Sequence, residues 1–288
     1  MKVIGSAFVE FSPSAIHKNI EDVRSFRRGI GGSGANIAIA EARLGTKPQL
    51  VSAVGGDRFG QFIINELEKE GIECTNVSVE KEYLTGISFY ELDAEGRSNY
   101  YFYRFPGISM PEEKLMLRGI KFEKEEIVTI TEAAIRGAEP DMEALSGARI
   151  FYEPNIRKAF WNEQLRERTM KVIENAYAVF PNREELSLIT GTKGIDEGAE
   201  ELLKHTKLVV VKMGSEGARA FFEKRSFSAP GIKIEAKCEI GAGDTFHGAF
   251  VAALTEGKDL SEALLLANRA AAFRVATGKF PRKKDLFT

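Results

Sequence analysis

Hydrophobic and polar positions follow two different periods along the chain, and the change of period separates its regions. Residues 3–11 form a mostly apolar run that ends at Pro13, which predicts a buried strand. Residues 34–44 carry small and apolar side chains at helical spacing, and residues 59–70 have one apolar face and stop at Gly71. The N-terminal part therefore predicts alternating strands and packed helices.

A period of two replaces this pattern between about residues 74 and 105. Segments 85–92 and 98–105 flank a glycine-bearing turn at 93–97, which is the pattern of a β-hairpin. Because the hairpin interrupts an otherwise α/β chain, we expect it to belong to a separate small sheet, or lid.

The second half of the chain returns to alternating strands and helices. The Val-rich residues 208–212 predict a parallel strand buried on both faces, and Ala-rich residues between 245 and 277 predict two helices. The fold class expected is therefore α/β, with three α/β/α layers around a mostly parallel central sheet and a small β-sheet lid. We expect a single domain over residues 1–288, with the lid formed by about 9–30 and 75–106.

The composition excludes several classes of protein. Of the 288 residues, 43% are hydrophobic and 28% charged, and the net charge is −2. This balance argues against a protein that coats nucleic acid or an anionic membrane, although it permits a local anion pocket. Two cysteines, Cys74 and Cys238, are too few for a disulfide framework. With no signal-peptide pattern and no apolar run of roughly 18–20 residues, we expect a cytoplasmic protein without a membrane partner.

The strongest chemical signal is the sequence Gly-Ala-Gly-Asp at residues 241–244, which leads into an Ala-rich helix. Small residues let the backbone approach a ligand closely, and the N–H groups at a helix start favour an anion. Asp244 would repel a phosphate, so its position favours a base that takes a proton from a hydroxyl attacking phosphorus. The alternative is an Asp that merely caps the helix.

A second glycine cluster, at residues 31–36, also leads into a helix. It is not a phosphate-binding Walker loop, because no Gly-Lys-Ser/Thr follows, and it lacks the dinucleotide fingerprint. Backbone donors at the helix start and the Asn36 amide fit the hydroxyls of a polyol. The alternative is a tight loop with a structural Asn.

Two further motifs follow strands. Asn182 and Glu185 share a face at a helix start, where their oxygen atoms suit Mg²⁺ held partly through water, or form a simple capping box. A glycine-bearing turn at Gly214 follows the strand at 208–212 and either faces a ligand or closes a hairpin. Three histidines lack metal-ligand spacing and are expected to be surface or core residues: His17, His205 and His247.

The order of these motifs resembles the ribokinase or PfkB family of carbohydrate kinases from end to end. The resemblance rests on four stretches of sequence: Gly31-Gly32-Ser33-Gly34-Ala35-Asn36, Asn182-x-x-Glu185, Lys212-Met213-Gly214-x-x-Gly217 and Gly241-Ala242-Gly243-Asp244. It implies a ribokinase-like fold and ATP-dependent phosphorylation of a sugar hydroxymethyl group, with Mg²⁺. It also implies a homodimer formed through the lid.

The resemblance assigns roles to individual residues. Asp244 resembles the general base, beside an anion hole made by Gly241, Ala242 and Gly243. Asn182 and Glu185 match the motif that organises Mg²⁺ and the phosphates. The nucleotide contacts would come from Lys212, Gly214, Gly217 and Asn268, together with Asn182. The sugar contacts would come from Glu10, Gly31, Gly32, Asn36, Tyr103, Arg104 and Arg157.

One segment departs from the family pattern. Cys238-Glu239-Ile240 precedes the anion hole, where family members usually have Asp-Thr-Thr or a similar sequence. In many members that segment helps to bind a monovalent cation, so activation by potassium is an open question here. Residues 107–147 also match the family only loosely.

The substrate is indicated by a few residues that point in different directions. Residues 152–157, with Trp161 following, resemble a segment of fructokinases and also occur in related form in 2-keto-3-deoxygluconate kinases. Arg104 and Arg157 together could hold a sugar carboxylate. Glu10 instead favours a neutral sugar, because a carboxylate accepts hydrogen bonds from hydroxyls and repels an acid.

Three further positions refine this choice. Ser88 and Phe102 stand where ketodeoxygluconate kinases often carry tyrosines, which argues against the acid, whereas Lys212 resembles those enzymes more than fructokinases. The leading expectation is a neutral ketose such as fructose. The alternatives are 2-keto-3-deoxygluconate, then ribose or a nucleoside, and finally a sensor that binds sugar or nucleotide without catalysis.

Overall fold

The computed structural model describes residues 1–14, 18–92, 98–103, 117, 119–137 and 139–286. Its strands are β1 (Lys2–Ile4), β2 (Phe8–Pro13), β3 (Phe26–Gly31), β4 (Gln49–Gly55), β5 (Glu73–Glu80), β6 (Ile87–Leu92), β7 (Ser98–Tyr103), β8 (Ile127–Thr131), β9 (Arg149–Glu153), β10 (Ala178–Val179), β11 (Leu208–Lys212), β12 (Gly217–Phe222) and β13 (Arg225–Pro230). Its α-helices are α1 (Ser33–Arg43), α2 (Arg58–Lys69), α3 (Ala133–Arg136), α4 (Glu163–Ile173), α5 (Arg183–Thr190), α6 (Ile195–Leu202), α7 (Ala242–Thr255) and α8 (Leu260–Thr277).

A nine-stranded sheet forms the centre of the molecule. Its order is β13-β12-β11-β10-β9-β8-β1-β4-β5, and neighbouring strands are parallel from β11 to β5. Strands β12 and β13 continue the sheet as an antiparallel hairpin. The sequence expectation of a mostly parallel sheet followed by a hairpin is confirmed.

Helices cover both faces of this sheet. Residues on β11 alternate between two apolar clusters, with Leu208 and Val210 facing α7 and α8, and Val209 and Val211 facing the side of α4, α5 and α6. Helices α1 and α2 pack over β1 and β4, on the same face of the sheet as α7 and α8. Because both faces are buried, the strands read as continuous apolar runs, and the α/β/α layering is confirmed.

A second sheet of four strands lies apart from the central one, in the order β3-β2-β6-β7. Strands β6 and β7 pair in antiparallel fashion, as the period of two predicts, and the turn at 93–97 lies outside the described residues. Strand β5 is a correction to the sequence reading. It pairs in parallel with β4 in the central sheet, so on this side the small sheet begins at β6 rather than near residue 75.

Aromatic rings cover one face of the small sheet. The Phe89 ring stacks on Phe11 with centroids 4.8 Å apart and meets Phe26 and Tyr103 edge-on at 5.0 and 5.4 Å. Nowhere in the described ranges does a helix combine the length and hydrophobicity that a bilayer span requires.

Candidate active site

A cavity of about 860 Å³ lies between the small sheet, the carboxyl ends of the central strands and the start of α7. Ligand clefts of α/β proteins occur at this edge of the sheet, because loops there diverge around the strand ends. Most of the residues expected from the sequence line the cavity: Glu10, Gly32, Asn36, Arg157, Asn182, Glu185, Lys212, Gly214, Gly217, Gly241, Ala242, Gly243, Asp244 and Asn268.

The start of α7 leaves backbone donors free because no side chain caps it. Its N-cap is Gly241, whose φ of +73° lies in the left-handed region that glycine adopts without strain. Helix geometry leaves the first N–H groups without intrahelical acceptors. The N–H of Ala242 donates to the carbonyl of Glu239 at 3.1 Å, whereas the amides of Gly243 and Asp244 meet no acceptor among the described residues and can bind an anion.

Asp244 occupies the first turn of this helix as a buried carboxylate. The Asn36 side chain donates a hydrogen bond to Asp244 Oδ2 at 2.8 Å. Burial raises the pKa of Asp244 to about 6, with the Asn36 hydrogen bond lowering it and the charge of Glu153 raising it. Near neutral pH the group is therefore ionised in most molecules but basic enough to accept a proton, as a general base must be.

Lys212 brings a positive charge to the same helix start. A Cβ atom added to Gly243 would lie 3.5 Å from Lys212 Nζ. Burial lowers the pKa of Lys212, but the charges of Glu153 and Glu185 outweigh that effect, so the net shift is upward and the ammonium stays charged. A fixed cation at a helix N-terminus strengthens the site for an anion.

An ion pair with Glu153 fixes the position of the Lys212 ammonium. The Glu153 carboxylate also contacts His247 Nδ1 at 3.1 Å. His247 Nε2 in turn lies 3.1 Å from the Thr129 hydroxyl. Burial lowers the pKa of His247 to about 3, so the ring is neutral, and the carboxylate of Glu153 requires the proton on Nδ1. A buried polar chain thus links strand β8 to the cavity.

Asn182 and Glu185 form the capping box that the sequence offered as an alternative to a metal motif. Asn182 Oδ1 accepts from the Glu185 N–H at 2.9 Å, and Glu185 Oε2 accepts from the Asn182 N–H at 2.7 Å. Glu185 Oε1 accepts from the Ile156 N–H at 2.9 Å. Burial raises the pKa of Glu185 to about 7, while the Lys212 charge lowers it. Each carboxylate oxygen retains acceptor capacity for water or a metal-bound water.

The opposite end of the cavity joins a carboxylate, a guanidinium and aromatic rings. Glu10 is buried, and burial raises its pKa to about 7 against the lowering effects of Arg274 and Arg157. The Arg157 guanidinium lies 5.0 Å from the centre of the Tyr100 ring. The rings of Tyr100 and Phe102 stack with centroids 5.6 Å apart. Acceptor, donor and flat apolar wall together suit a small polyhydroxylated ring.

A model of the family described as pfkB family carbohydrate kinase matches residues 2–279. The chain belongs to the pfkB family of carbohydrate kinases. As in that family, it is an ATP-dependent sugar phosphotransferase, which confirms the expectation of the kinase class.

Curated relatives of this pfkB kinase differ in the substrate that their names give. The chain is 28% identical over 291 residues to 5-dehydro-2-deoxygluconokinase from Clostridium perfringens, covering 95% of this chain and 86% of that protein. It is 29% identical over 272 residues to probable fructokinase-2 from Arabidopsis thaliana, covering 90% of this chain and 82% of that protein. The kinase class is common to both relatives, and the substrate is not.

Solved structures share the fold. Fructokinase from Vibrio cholerae, solved with fructose, ADP and a calcium ion, superposes with a TM-score of 0.86 at 25% identity, covering 99% of this chain and 97% of that one. The PfkB protein from Polaromonas has a TM-score of 0.84 at 24% identity over 99% and 98% of the two chains. The three-layer fold with a second small sheet is thus that of other pfkB kinases.

Two described residues that were expected in this kinase's sugar site, Tyr103 and Gly31, do not line the cavity. Tyr103 is 61% exposed. Side chains alternate between the two faces of β7, and the face toward the cavity carries Tyr100 and Phe102. A Cβ atom at Gly31 would lie 2.6 Å from the Phe8 ring and 2.9 Å from Glu10 Cβ, so this glycine makes room behind the pocket wall. Arg104 lies outside the described residues.

Other cavity residues escaped the sequence reasoning. Glu153 is a single carboxylate at the end of an apolar strand, and its partner Lys212 stands 59 residues away. Glu132 and Arg136 form a bidentate pair that lines the cavity. Arg136 Nε donates to Glu132 Oε1 at 3.0 Å, and Arg136 Nη2 donates to Glu132 Oε2 at 2.5 Å. The inward-facing Tyr100 had only the alternation along β7 as a signal.

Proposed function

We propose that this kinase transfers the terminal phosphoryl group of ATP to a hydroxymethyl group of a neutral ketose such as fructose. The observation that supports it most is the start of α7, where a buried Asp244 with a raised pKa stands beside free backbone donors and Lys212. A base, an anion site and a fixed cation brought together at one helix start are what phosphoryl transfer to a hydroxyl requires.

The reaction then follows from these groups. Asp244 accepts the proton of the sugar hydroxyl while the hydroxyl oxygen forms a bond to the γ-phosphorus. The bond between the γ-phosphorus and the bridging oxygen breaks, and its electron pair leaves with ADP. The amides of Gly243 and Asp244 and the Lys212 ammonium stabilise the negative charge of the transferring group. Gly241 and Ala242, expected from the sequence to share in the anion hole, shape the helix start instead, because the Ala242 N–H donates to the Glu239 carbonyl.

Mg²⁺ fits the acidic edge of the cavity. Among residues with described positions, no three His, Cys, Asp or Glu side chains come together as a metal site. Mg²⁺ commonly binds through one or two carboxylates, several waters and the phosphates of its substrate. Glu185, buried at the cavity and adjacent to Asn182, supplies such a carboxylate. When bound, the ion would neutralise phosphate charge and orient the phosphates.

The nucleotide would lie along the α8 side of the cavity. Gly217, at a φ of +96°, would place a Cβ atom 2.0 Å from the Ala229 carbonyl, so no larger residue fits this turn. Asn268 Nδ2 donates to the Pro230 carbonyl at 2.7 Å and fixes the loop beyond the turn. The apolar residues on this wall suit a flat base: Ile232, Ile234, Ala271, Ala272 and Val275.

The four-stranded sheet is proposed to act as a lid and as a dimer interface. Within the described part of the chain, β3 and β7 are the two edges of this sheet, and unpaired edges favour association with another chain. Exposed Tyr103, which meets the Phe89 ring edge-on away from the cavity, would then contact a partner rather than the sugar. Light scattering of the wild type and of Tyr103→Asp tests this, since a dimer is expected for the former and a monomer for the latter.

The sugar is the finer part of the proposal. The charge of Asp244 raises the pKa of Glu10, so a substrate carboxylate would add a third negative charge to this part of the cavity. Arg157 is the observation that favours the second candidate, a sugar acid such as 2-keto-3-deoxygluconate, because a guanidinium fork binds carboxylates well.

A coupled assay of ATP consumption over a panel of sugars tests the proposed substrate. We expect the highest kcat/KM with fructose, a loss for Glu10→Gln with fructose, and a modest loss for Arg157→Lys. A preference for the sugar acid, improved by Glu10→Gln and reduced by a factor of roughly thirty or more by Arg157→Lys, would overturn the neutral-ketose proposal. No phosphorylation of any sugar would favour a sensor.

A further inference from the structure

Arg274, on the last turn of α8, binds two backbone carbonyls that come from separate segments. Its Nε donates to the carbonyl of Ile240 at 2.9 Å, and its Nη1 donates to the carbonyl of Gly278. Ile240 directly precedes the N-cap of α7, and Gly278 is the left-handed residue that ends α8. One side-chain cation therefore ties the end of α8 to the segment that starts α7.

The guanidinium also lies directly against the helix start. A Cβ atom added to Gly241 would lie 3.3 Å from Arg274 Nε and 3.5 Å from Asn36 Nδ2. The guanidinium carbon lies 4.2 Å from the centre of the Phe280 ring. Held by two carbonyls and a ring, the charge has a fixed position beside the residue whose conformation directs the first amides of α7.

We propose that Arg274 is a positioning residue that serves as a built-in cation and makes turnover independent of a bound monovalent cation. Carbonyl oxygens that converge on a point are the ligands that a dehydrated potassium ion takes. Here two of them are committed to a guanidinium, which is always charged and directional. The preceding Cys238-Glu239-Ile240, in place of the family's Asp-Thr-Thr, agrees with a site that no longer needs the ion.

The consequence concerns the rate of transfer more than the binding of substrates. If Arg274 sets the direction of the amides after Gly241, its loss misplaces donors that act on the transferring phosphoryl group. Such misplacement reduces kcat, whereas nucleotide contacts elsewhere in the cavity keep affinity. This inference rests on the role proposed for residues 241–244.

The first test needs no variant. Wild-type kcat is measured in potassium chloride and in tetramethylammonium chloride at equal ionic strength. We expect the two values to agree within about twofold, since the fixed guanidinium needs no added ion. A wild-type enzyme that requires potassium would overturn the inference and leave the proposed role of Asp244 intact.

The second test is chemical rescue. Arg274→Ala is expected to lose roughly 10²-fold in kcat with a much smaller change in nucleotide dissociation constant, and guanidinium or potassium ions should restore part of the loss. Arg269→Ala, an exposed arginine on the same helix, is the control and should show neither effect. Should Arg274→Ala be insoluble, Arg274→Met keeps the apolar stem and serves in the same assay.

A purely structural role predicts a different result. In that case the melting temperature of the variant falls, but kcat per folded molecule stays within about twofold of the wild type and no cation rescues it. Loss of activity in Asp244→Asn is measured in parallel. If that variant stays active, the proposed function of α7 fails, whatever the response to cations.

Discussion

Two helices, α5 and α7, begin at the same cavity, and their first turns differ. Helix α5 closes on itself, since Asn182 and Glu185 accept each other's backbone N–H groups in a capping box. Helix α7 begins at a left-handed Gly241 with no side-chain cap, so the amides of Gly243 and Asp244 remain free. An uncapped helix start can receive an anion, whereas a self-capped one presents a carboxylate to the cavity.

The difference assigns the two carboxylates to separate tasks. Asp244 sits among donors and has a pKa raised to about 6 by burial, which suits proton transfer. Glu185 has both oxygens engaged by backbone donors, which suits holding a hydrated ion in a fixed place.

The largest effect is expected for Asp244→Asn. Removing the base should reduce kcat by roughly 10²–10⁴-fold while sugar affinity changes little, because an amide keeps the size of the side chain but accepts no proton. Turnover from stopped-flow and sugar affinity from calorimetry measure the two quantities. Turnover within a few-fold of the wild type would remove Asp244 from the base role.

Gly241→Ala should disturb the start of α7, because its φ is left-handed and the added Cβ would lie 3.3 Å from Arg274 Nε and 3.5 Å from Asn36 Nδ2. Alanine in the left-handed conformation of Gly241 costs about 1–2 kcal/mol. A backbone rotation that relieves this strain would turn the amides of Gly243 and Asp244 away from the phosphoryl group. We expect kcat to fall by roughly 10–100-fold.

Gly257, at the other end of α7, is the matched control. Its φ of +81° is also left-handed, and a Cβ atom there would meet nothing within 4 Å. Gly257→Ala should lose similar stability in urea unfolding and keep full activity. Equal losses of activity in both variants would mean that stability, and not the anion site, explains the effect.

Glu185→Gln separates the capping role from the metal role. Gln also completes a capping box, so stability should change little, but loss of the charge should raise the Mg²⁺ concentration for half-maximal rate by roughly tenfold. Glu262→Gln, in the equivalent capping box of Asp259 and Glu262 on α8, is the control. If the Mg²⁺ requirement is unchanged in both variants, Glu185 serves only as a cap.

The smallest effect is the dependence of activity on pH. Because burial raises the pKa of Asp244, the active ionised form is lost as pH falls through about 6. We expect kcat at saturating sugar, where Glu10 is already engaged by the substrate, to fall by about tenfold for each unit below that pH, and Glu185→Gln to keep this acid limb. An acid limb near pH 7 that disappears in Glu185→Gln would assign the essential carboxylate to α5 instead.

Stability is expected to change with pH in the direction opposite to activity. Glu10, Glu185 and Asp244 have pKa values raised above those of the unfolded chain, to about 7, 7 and 6. The folded state therefore binds more protons between the unfolded and folded pKa values. Their contribution to stability is present near pH 4 and is lost as pH rises toward 7, which melting curves in the absence of substrates measure.

The sequence predicts what is local and leaves out what depends on distant contacts. The glycines and Asp244 were found because a helix start carries its own signature within four residues. The ion pair between Glu153 and Lys212 and the carbonyl contacts of Arg274 join segments tens of residues apart, and a backbone carbonyl leaves no mark on the sequence.

The small sheet shows a second limit. The period of two predicts β6 and β7 but not which phase of β7 faces the cavity, and in the structure Tyr100 and Phe102 point inward while Tyr103 is exposed. A shift of one residue reverses every side chain of a strand. The same period also described β5, which instead extends the central sheet.

A crystal structure with ADP, fructose and tetrafluoroaluminate tests the central claim most directly, because the planar anion mimics the transferring phosphoryl group. We predict that the fluoride ligands contact the amides of Gly243 and Asp244 and the Lys212 ammonium. The attacking sugar hydroxyl should donate a hydrogen bond to the Asp244 carboxylate. Tetrafluoroaluminate bound at the start of α5, or a sugar hydroxyl remote from Asp244, would contradict the account.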